Sequence, residues 1–200
     1  MRDQALGRNQ GGFSLIETMM ALAITGVLLS SINGFLNNQQ KAYFLQEQIV
    51  EVQEGLRIAS TIMERDLRTA GYDPIGTANA GIVVADRHSI HLTRDLNGDG
   101  DTTDSNEDIR YALYSSDGNN TLGRFNGPYK NPVLEYTESL EFAYRKADGT
   151  LLTSDPITDP SQIRKIKITI VAKTAHADPK YPKNNGYRTR ALTTSVSIRN

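Results

Sequence analysis

Cysteine and tryptophan are both absent from these 200 residues. Without a thiol there is no disulfide, no thiolate metal site and no catalytic cysteine, so a fold in an oxidising compartment must hold by packing alone. An excess of charge of one sign is missing too. The 22 basic and 23 acidic side chains leave a formal net charge of −1, with no long basic block. Nucleic acid is therefore not an expected partner. Histidine is scarce, with three residues: His88, His91 and His176. Read as strand residues, His88 and His91 point to opposite faces, and none of the three has zinc-site spacing. No serine sits in a nucleophile-elbow context and no glycine-rich phosphate loop follows a strand, so no enzyme is expected. Proline is withheld until Pro74, which leaves everything before it free to form one helix.

What the chain does have is a leader carrying Arg2 and Arg8, then Gly11-Gly12-Phe13-Ser14-Leu15-Ile16-Glu17, then an apolar run to about Leu36. From Phe13 to Leu36 the only formally charged side chain is Glu17. Roughly twenty helical residues cross a bilayer's hydrocarbon core, so the run is long enough to span. A bare carboxylate inside such a span costs about 2.5–3.5 kcal/mol, so Glu17 should have a partner. Three simpler readings compete. One is a secretory signal, with Ala21-Leu22-Ala23 as its cleavage site, although that tripeptide lies inside the apolar run and Glu17 interrupts it. The others are a plain signal anchor and a buried helix of a soluble protein.

Gly12-Phe13-Ser14-Leu15-Ile16-Glu17 resembles the type III signal of prepilins, GF-S/T-L-x-E. The resemblance implies cleavage by a prepilin peptidase between Gly12 and Phe13 and N-methylation of Phe13. It also implies a role for Glu17 in placing each subunit in a growing filament. The physics is consistent: a free ammonium at the helix start of one chain and the carboxylate of another offset each other's burial, whereas either alone is penalised.

Beyond Leu36 the chain turns polar (Asn37, Asn38, Gln39, Gln40, Lys41) without a breaker. A stripe then runs through Leu45, Ile49, Val52, Leu56, Ala59, Met63 and Leu67 in steps of three and four, predicting one helix from about Phe13 to Thr69. Gly71 is placed to cap it and Asp73-Pro74 to stop it. Gly26, Ser30, Ser31, Asn33 and Gly34 are its weakest stretch by propensity.

After Gly76 the pattern becomes alternating. Strands are expected over 82–84, 89–92, 109–114, 122–125, 140–144 and 151–152, with Asp148-Gly149 as a hairpin turn. Ile166, Ile168 and Ile170 alternate with polar residues, as do Leu192, Thr194, Val196 and Ile198, and a long polar loop lies between these two strands. The expected class is α+β, a long helix covering one face of an antiparallel sheet. Four parts follow: a leader (1–12), a membrane or filament-core helix (13–36), an amphipathic continuation (37–70) and a β-rich head (71–200). Setting aside residues 1–36 leaves roughly 160 residues, enough for one domain with a real core.

Met63-Glu64-Arg65-Asp66-Leu67-Arg68-Thr69-Ala70-Gly71-Tyr72 is similar to the "RDLRxAGY" helix ending of PilW-type minor pilins, and the last two strands are similar as well. J-type pseudopilins of type II secretion share a related ending. The resemblance implies an inner-membrane protein with one span and a periplasmic head. It would later be built into a type IV pilus at the cell surface, with the prepilin peptidase, the assembly platform and other major and minor pilins as partners. Two alternatives stay open: a type II secretion pseudopilin, and a membrane-anchored periplasmic binding module.

Asp95-Leu96-Asn97-Gly98-Asp99-Gly100-Asp101 is the one cofactor-like motif. Oxygen donors at positions 1, 3 and 5 with Gly at 6 match the start of an EF-hand-type calcium loop, and Asp101 would offer its backbone carbonyl. The twelfth position is Asn106, so the closing carboxylate comes one residue late at Glu107, with Asp104 as another candidate. Asn-Gly and Asp-Gly pairs also make turns unaided, and a loop between strands is no true EF-hand. Five carboxylates (Asp95, Asp99, Asp101, Asp104, Glu107) nevertheless repel one another unless a cation joins them.

Overall fold

A computed structural model describes residue 12 and residues 14–198. They fall into two compact units that divide between Gln46 and Glu47. One helix, α1 (Leu15–Arg68), supplies the described part of the first unit beyond residue 14 and continues into the second. Helix through Gly26, residues 30–34 and Gly34 is unbroken despite their low propensity.

In the first unit the helix is exposed on every side as far as Phe44. Leu15, Ile16, Met19, Met20, Leu22, Ile24, Val27, Leu28, Leu29, Ile32, Phe35 and Leu36 all face outward, uncovered. Four of its polar side chains turn back on the helix itself. The hydroxyl of Thr18 donates to Leu15 O at 2.8 Å, that of Thr25 to Ala21 O at 2.7 Å and that of Ser31 to Val27 O at 2.9 Å, while Asn33 Nδ2 donates to Leu29 O at 3.1 Å. A helix in hydrocarbon must satisfy its polar groups internally, and these four do so.

In the second unit the same helix becomes amphipathic. Val52, Leu56, Ala59, Met63 and Leu67 are buried, whereas Leu45 and Ile49 at the start of the expected stripe are only half-buried. Past Arg68, Gly71 takes the left-handed conformation (φ +77°) that a C-terminal cap requires, and its N–H donates to Thr93 O at 3.0 Å. The Asp73 carboxylate then accepts from the N–H groups of Gly76 (2.6 Å) and Ala78 (2.9 Å), fixing the turn that leads away.

Among the described residues nine strands follow: β1 (Ile82–Ala85), β2 (Ile90–Thr93), β3 (Asp108–Ser116), β4 (Asn119–Asn126), β5 (Tyr129–Leu134), β6 (Thr137–Arg145), β7 (Leu151–Leu152), β8 (Lys165–Lys173) and β9 (Thr189–Ser197). All pairings are antiparallel, and the α+β class stands. The strands divide into two sheets rather than the single one expected, ordered β1-β2-β3-β4-β5 and β7-β6-β8-β9. The break falls where Tyr136 adopts φ +52°, after which β6 pairs with β8 instead of β5. Strand β5 was not among the expected strands. It holds Pro132, which cannot donate to a ladder on both sides and is tolerated because β5 is an edge. His88 falls in the turn before β2 and not on a strand, so the opposite-face reading does not apply to it.

One core joins the second-unit helix to both sheets. Leu56, Met63 and Leu67 share it with Ile90, Leu92, Ile109 and Leu122 of the first sheet and Leu140, Ile166, Ile168 and Ile170 of the second. Burial of this kind is worth about 1.5–3 kcal/mol for each large side chain.

Candidate functional site

At the N-terminal end, Gly12 is exposed, with open space where a β-carbon would lie. Phe13, the other side of the expected processing bond, lies outside the described residues. Ser14 immediately precedes the helix, and Glu17 sits in its first turn as the only acidic residue there. The Glu17 carboxylate accepts the Ser14 N–H at 2.9 Å, the backward half of a capping box. That places an exposed carboxylate against the positive end of the helix dipole, where a negative charge is stabilised. In the single chain, Glu17 therefore helps start the helix.

The second place with concentrated chemistry is the loop between β2 and β3. It brings together three of the six predicted ligands. One carboxylate oxygen from each of Asp95, Asp99 and Glu107 lies within 4.8 Å of the others. The remaining three turn to local work. Asn97 Nδ2 donates to Asp99 (2.9 Å) and Asp104 (2.8 Å), and Asp101 accepts from the Thr103 N–H (2.8 Å) and hydroxyl (2.9 Å). Glu107 replaces the twelfth residue as the inward carboxylate because Asn106 takes φ +71° and redirects the chain. The N–H of Asp101 and the Asn97 amide hold the Asp99 carboxyl below the ordinary range.

A third cluster was not anticipated. Asp66, 1% exposed on the buried face of α1, accepts from Arg124 Nε (2.7 Å) and the Tyr111 hydroxyl (2.7 Å), with Arg94 Nη1 at 3.4 Å. Arg94 also donates to the Thr69 hydroxyl and to Asn106 O (2.8 Å). Burial pushes the Asp66 carboxyl up, but the bonds from Arg124 and Tyr111 and the charges of both arginines outweigh it and hold the group below its ordinary range. Burial and the Asp66 charge push the Tyr111 phenol well above its usual value. The available signal was an aspartate three residues after Met63 and next to Leu67, inside an apolar stripe.

Asp86, His88 and Ser89 line a cavity of about 400 Å³ but form a turn cap. The Ser89 hydroxyl donates to Asp86 Oδ2 (2.7 Å), while His88 Nδ1 pairs with Leu140 O (3.0 Å). A nucleophile needs a base within reach, and the histidine here is turned to a backbone carbonyl. His91 Nε2 meets Asp108 Oδ1 at 2.7 Å.

Residues 7–33 match the family profile described as the prokaryotic N-terminal methylation motif. No curated protein matches the chain. Among solved structures the chain is similar to a type IV-like pilin from Thermus thermophilus. Identity is 16%, 74% of this chain and 97% of that one are covered, and the TM-score is 0.49. Helix α1 is long and apolar enough to cross a membrane, and none of its apolar window is buried by the described residues. The N-terminus thus carries a prokaryotic N-terminal methylation motif at the head of a helix long and apolar enough to span a membrane.

Proposed function

We propose that the chain is a minor pilin, made as a precursor, cut by a prepilin peptidase between Gly12 and Phe13 and N-methylated on Phe13. Held in the inner membrane by the apolar part of α1, to about Leu36, it is then drawn by the assembly platform into a type IV pilus, where it helps start or cap the filament beside other pilins. The observation that carries this reading is the methylation motif heading a helix whose apolar surface finds no cover among the described residues. Such a surface needs lipid first and neighbouring helices later. Glu17 supports the same reading, since an incoming subunit's carboxylate can exchange its bond to the Ser14 N–H for the amine of a neighbour. A type II secretion pseudopilin fits the same anchor, and the similar helix ending of J-type pseudopilins keeps it as the second reading.

The test is the intact mass of the mature protein from its native host. A chain beginning at Phe13 with one added methyl is the expected result. A chain retaining residues 1–12, or cut elsewhere, overturns the filament reading. Loss of piliation rather than of secretion in a deletion strain then separates the pilus from the secretion filament.

A further inference from the structure

We infer that the loop between β2 and β3 is a calcium site built from Asp95, Asp99 and Glu107, with water completing the shell. The inference is independent of the pilin reading and concerns the second unit alone.

Three acidic oxygens in one loop would not carry this, but Glu107 adds a separate observation. Its side chain is buried, 1% exposed, and its two oxygens are treated unequally. Oε1 accepts from the N–H groups of Leu96 (2.7 Å) and Asn97 (3.4 Å). Oε2 is buried with no hydrogen-bond partner. A buried carboxylate oxygen left unmatched is among the more costly defects a fold can hold, and such groups ordinarily have an ion or a donor.

Asp95 beside it is 0% exposed, and both its oxygens accept backbone N–H bonds, from Gly98 (2.5 Å) and Gly100 (3.0 Å). Gly98 and Gly100 have φ of +76° and +90°, which lets the loop wrap its amides around that carboxylate. Two buried carboxylates thus stand together, and no protein cation serves them. Among the described residues, none of the ion pairs includes Asp95, Asp99 or Glu107. The neighbouring Arg94 is already engaged by Asp66, Thr69 and Asn106.

The chemistry of the missing partner follows from the donors. All are hard oxygens with no nitrogen or sulfur among them, which selects calcium or magnesium over the transition metals. Calcium–oxygen distances of 2.3–2.6 Å let two ligands stand up to about 5.2 Å apart, which accommodates the 4.8 Å within which these three oxygens lie. Asp99, exposed at the rim, leaves room for the water ligands calcium takes. The consequence is local. Asp95 N–H donates to Tyr72 O (2.7 Å), and Gly100 faces Thr77, so an ion here fastens this loop to the segment that follows α1.

The experiment uses the full chain in detergent micelles, stripped with chelator and titrated with calcium chloride, read by calorimetry and by thermal melting. Half-saturation is expected at roughly 0.1–1 mM, the range of extracellular modules. At tenfold excess over that value Tm should rise by about 3–6 °C. Magnesium at equal concentration should give less than half the shift. Glu107→Gln should abolish the calcium response while leaving the calcium-free Tm at or above that of the calcium-free parent. If that variant fails to fold, Asp99→Asn, at an exposed position, should weaken binding about tenfold, since affinity follows ligand charge. No heat and no Tm change in the parent overturns the site, as does an equal response to magnesium or an unaltered response in the variants.

Discussion

Of the acidic residues on helix α1, Glu17 and Asp66 have opposite fates. Glu17 is exposed, in a stretch where every large apolar side chain is also exposed, and it holds one backbone N–H. Asp66 is enclosed, within a stretch whose apolar stripe is buried, and it holds two arginines and a tyrosine. Among the described residues, the apolar side chains of the second stretch find cover and those of the first find none. Burial marks what a subunit does for its own stability, and uncovered apolar surface marks what it leaves for another molecule.

If that contrast holds, substitutions should divide accordingly. The largest effect belongs to Asp66→Ala, which strands Arg94 and Arg124 in the interior. Removing one member of a buried charge network costs about 3–5 kcal/mol, to be measured by urea unfolding of the full chain in micelles. Glu17→Ala in the same assay should stay within about 0.5 kcal/mol, the range of exposed sites. Equal losses would erase the contrast.

Next comes an apolar pair. Met63, 0% exposed, should cost about 2–5 kcal/mol when cut to alanine. Leu28, 57% exposed, should lie within about 0.5 kcal/mol by the same measurement.

The smallest effect is the response to acid. Because the folded Asp66 carboxyl titrates below its unfolded value near pH ~3.9, its contribution is complete above that pH and is lost as pH falls through the folded value. Melting temperature should therefore fall more steeply below about pH 4 in the parent than in Asp66→Asn. Parallel curves would mean that Asp66 carries no such linkage.

Much of this architecture was legible in the residues. The helix announced itself by spacing, from Val52 to Leu67, and its end by Gly71. The strands showed in alternation, clearest at Ile166, Ile168 and Ile170. What stayed hidden is non-local. Strand β5 is interrupted by Pro132 and gains its standing only by lying at an edge. The division into two sheets depends on which strand β6 pairs with, which no window of sequence encodes. Asp66 finds its partners 28, 45 and 58 residues away. In the acidic loop the five carboxylates were visible, but the convergence of Asp95, Asp99 and Glu107 depends on the turn at Asn106.

The inward-folded polar groups of Thr18, Thr25, Ser31 and Asn33 have a further meaning. Their donors are already spent on carbonyls of the same helix. Such groups normally tell one neighbouring helix from another by hydrogen bonding between helices. With these four bonds made inward, the stretch meets its surroundings chiefly through apolar surface, so its fit to a neighbour rests more on shape than on hydrogen bonding.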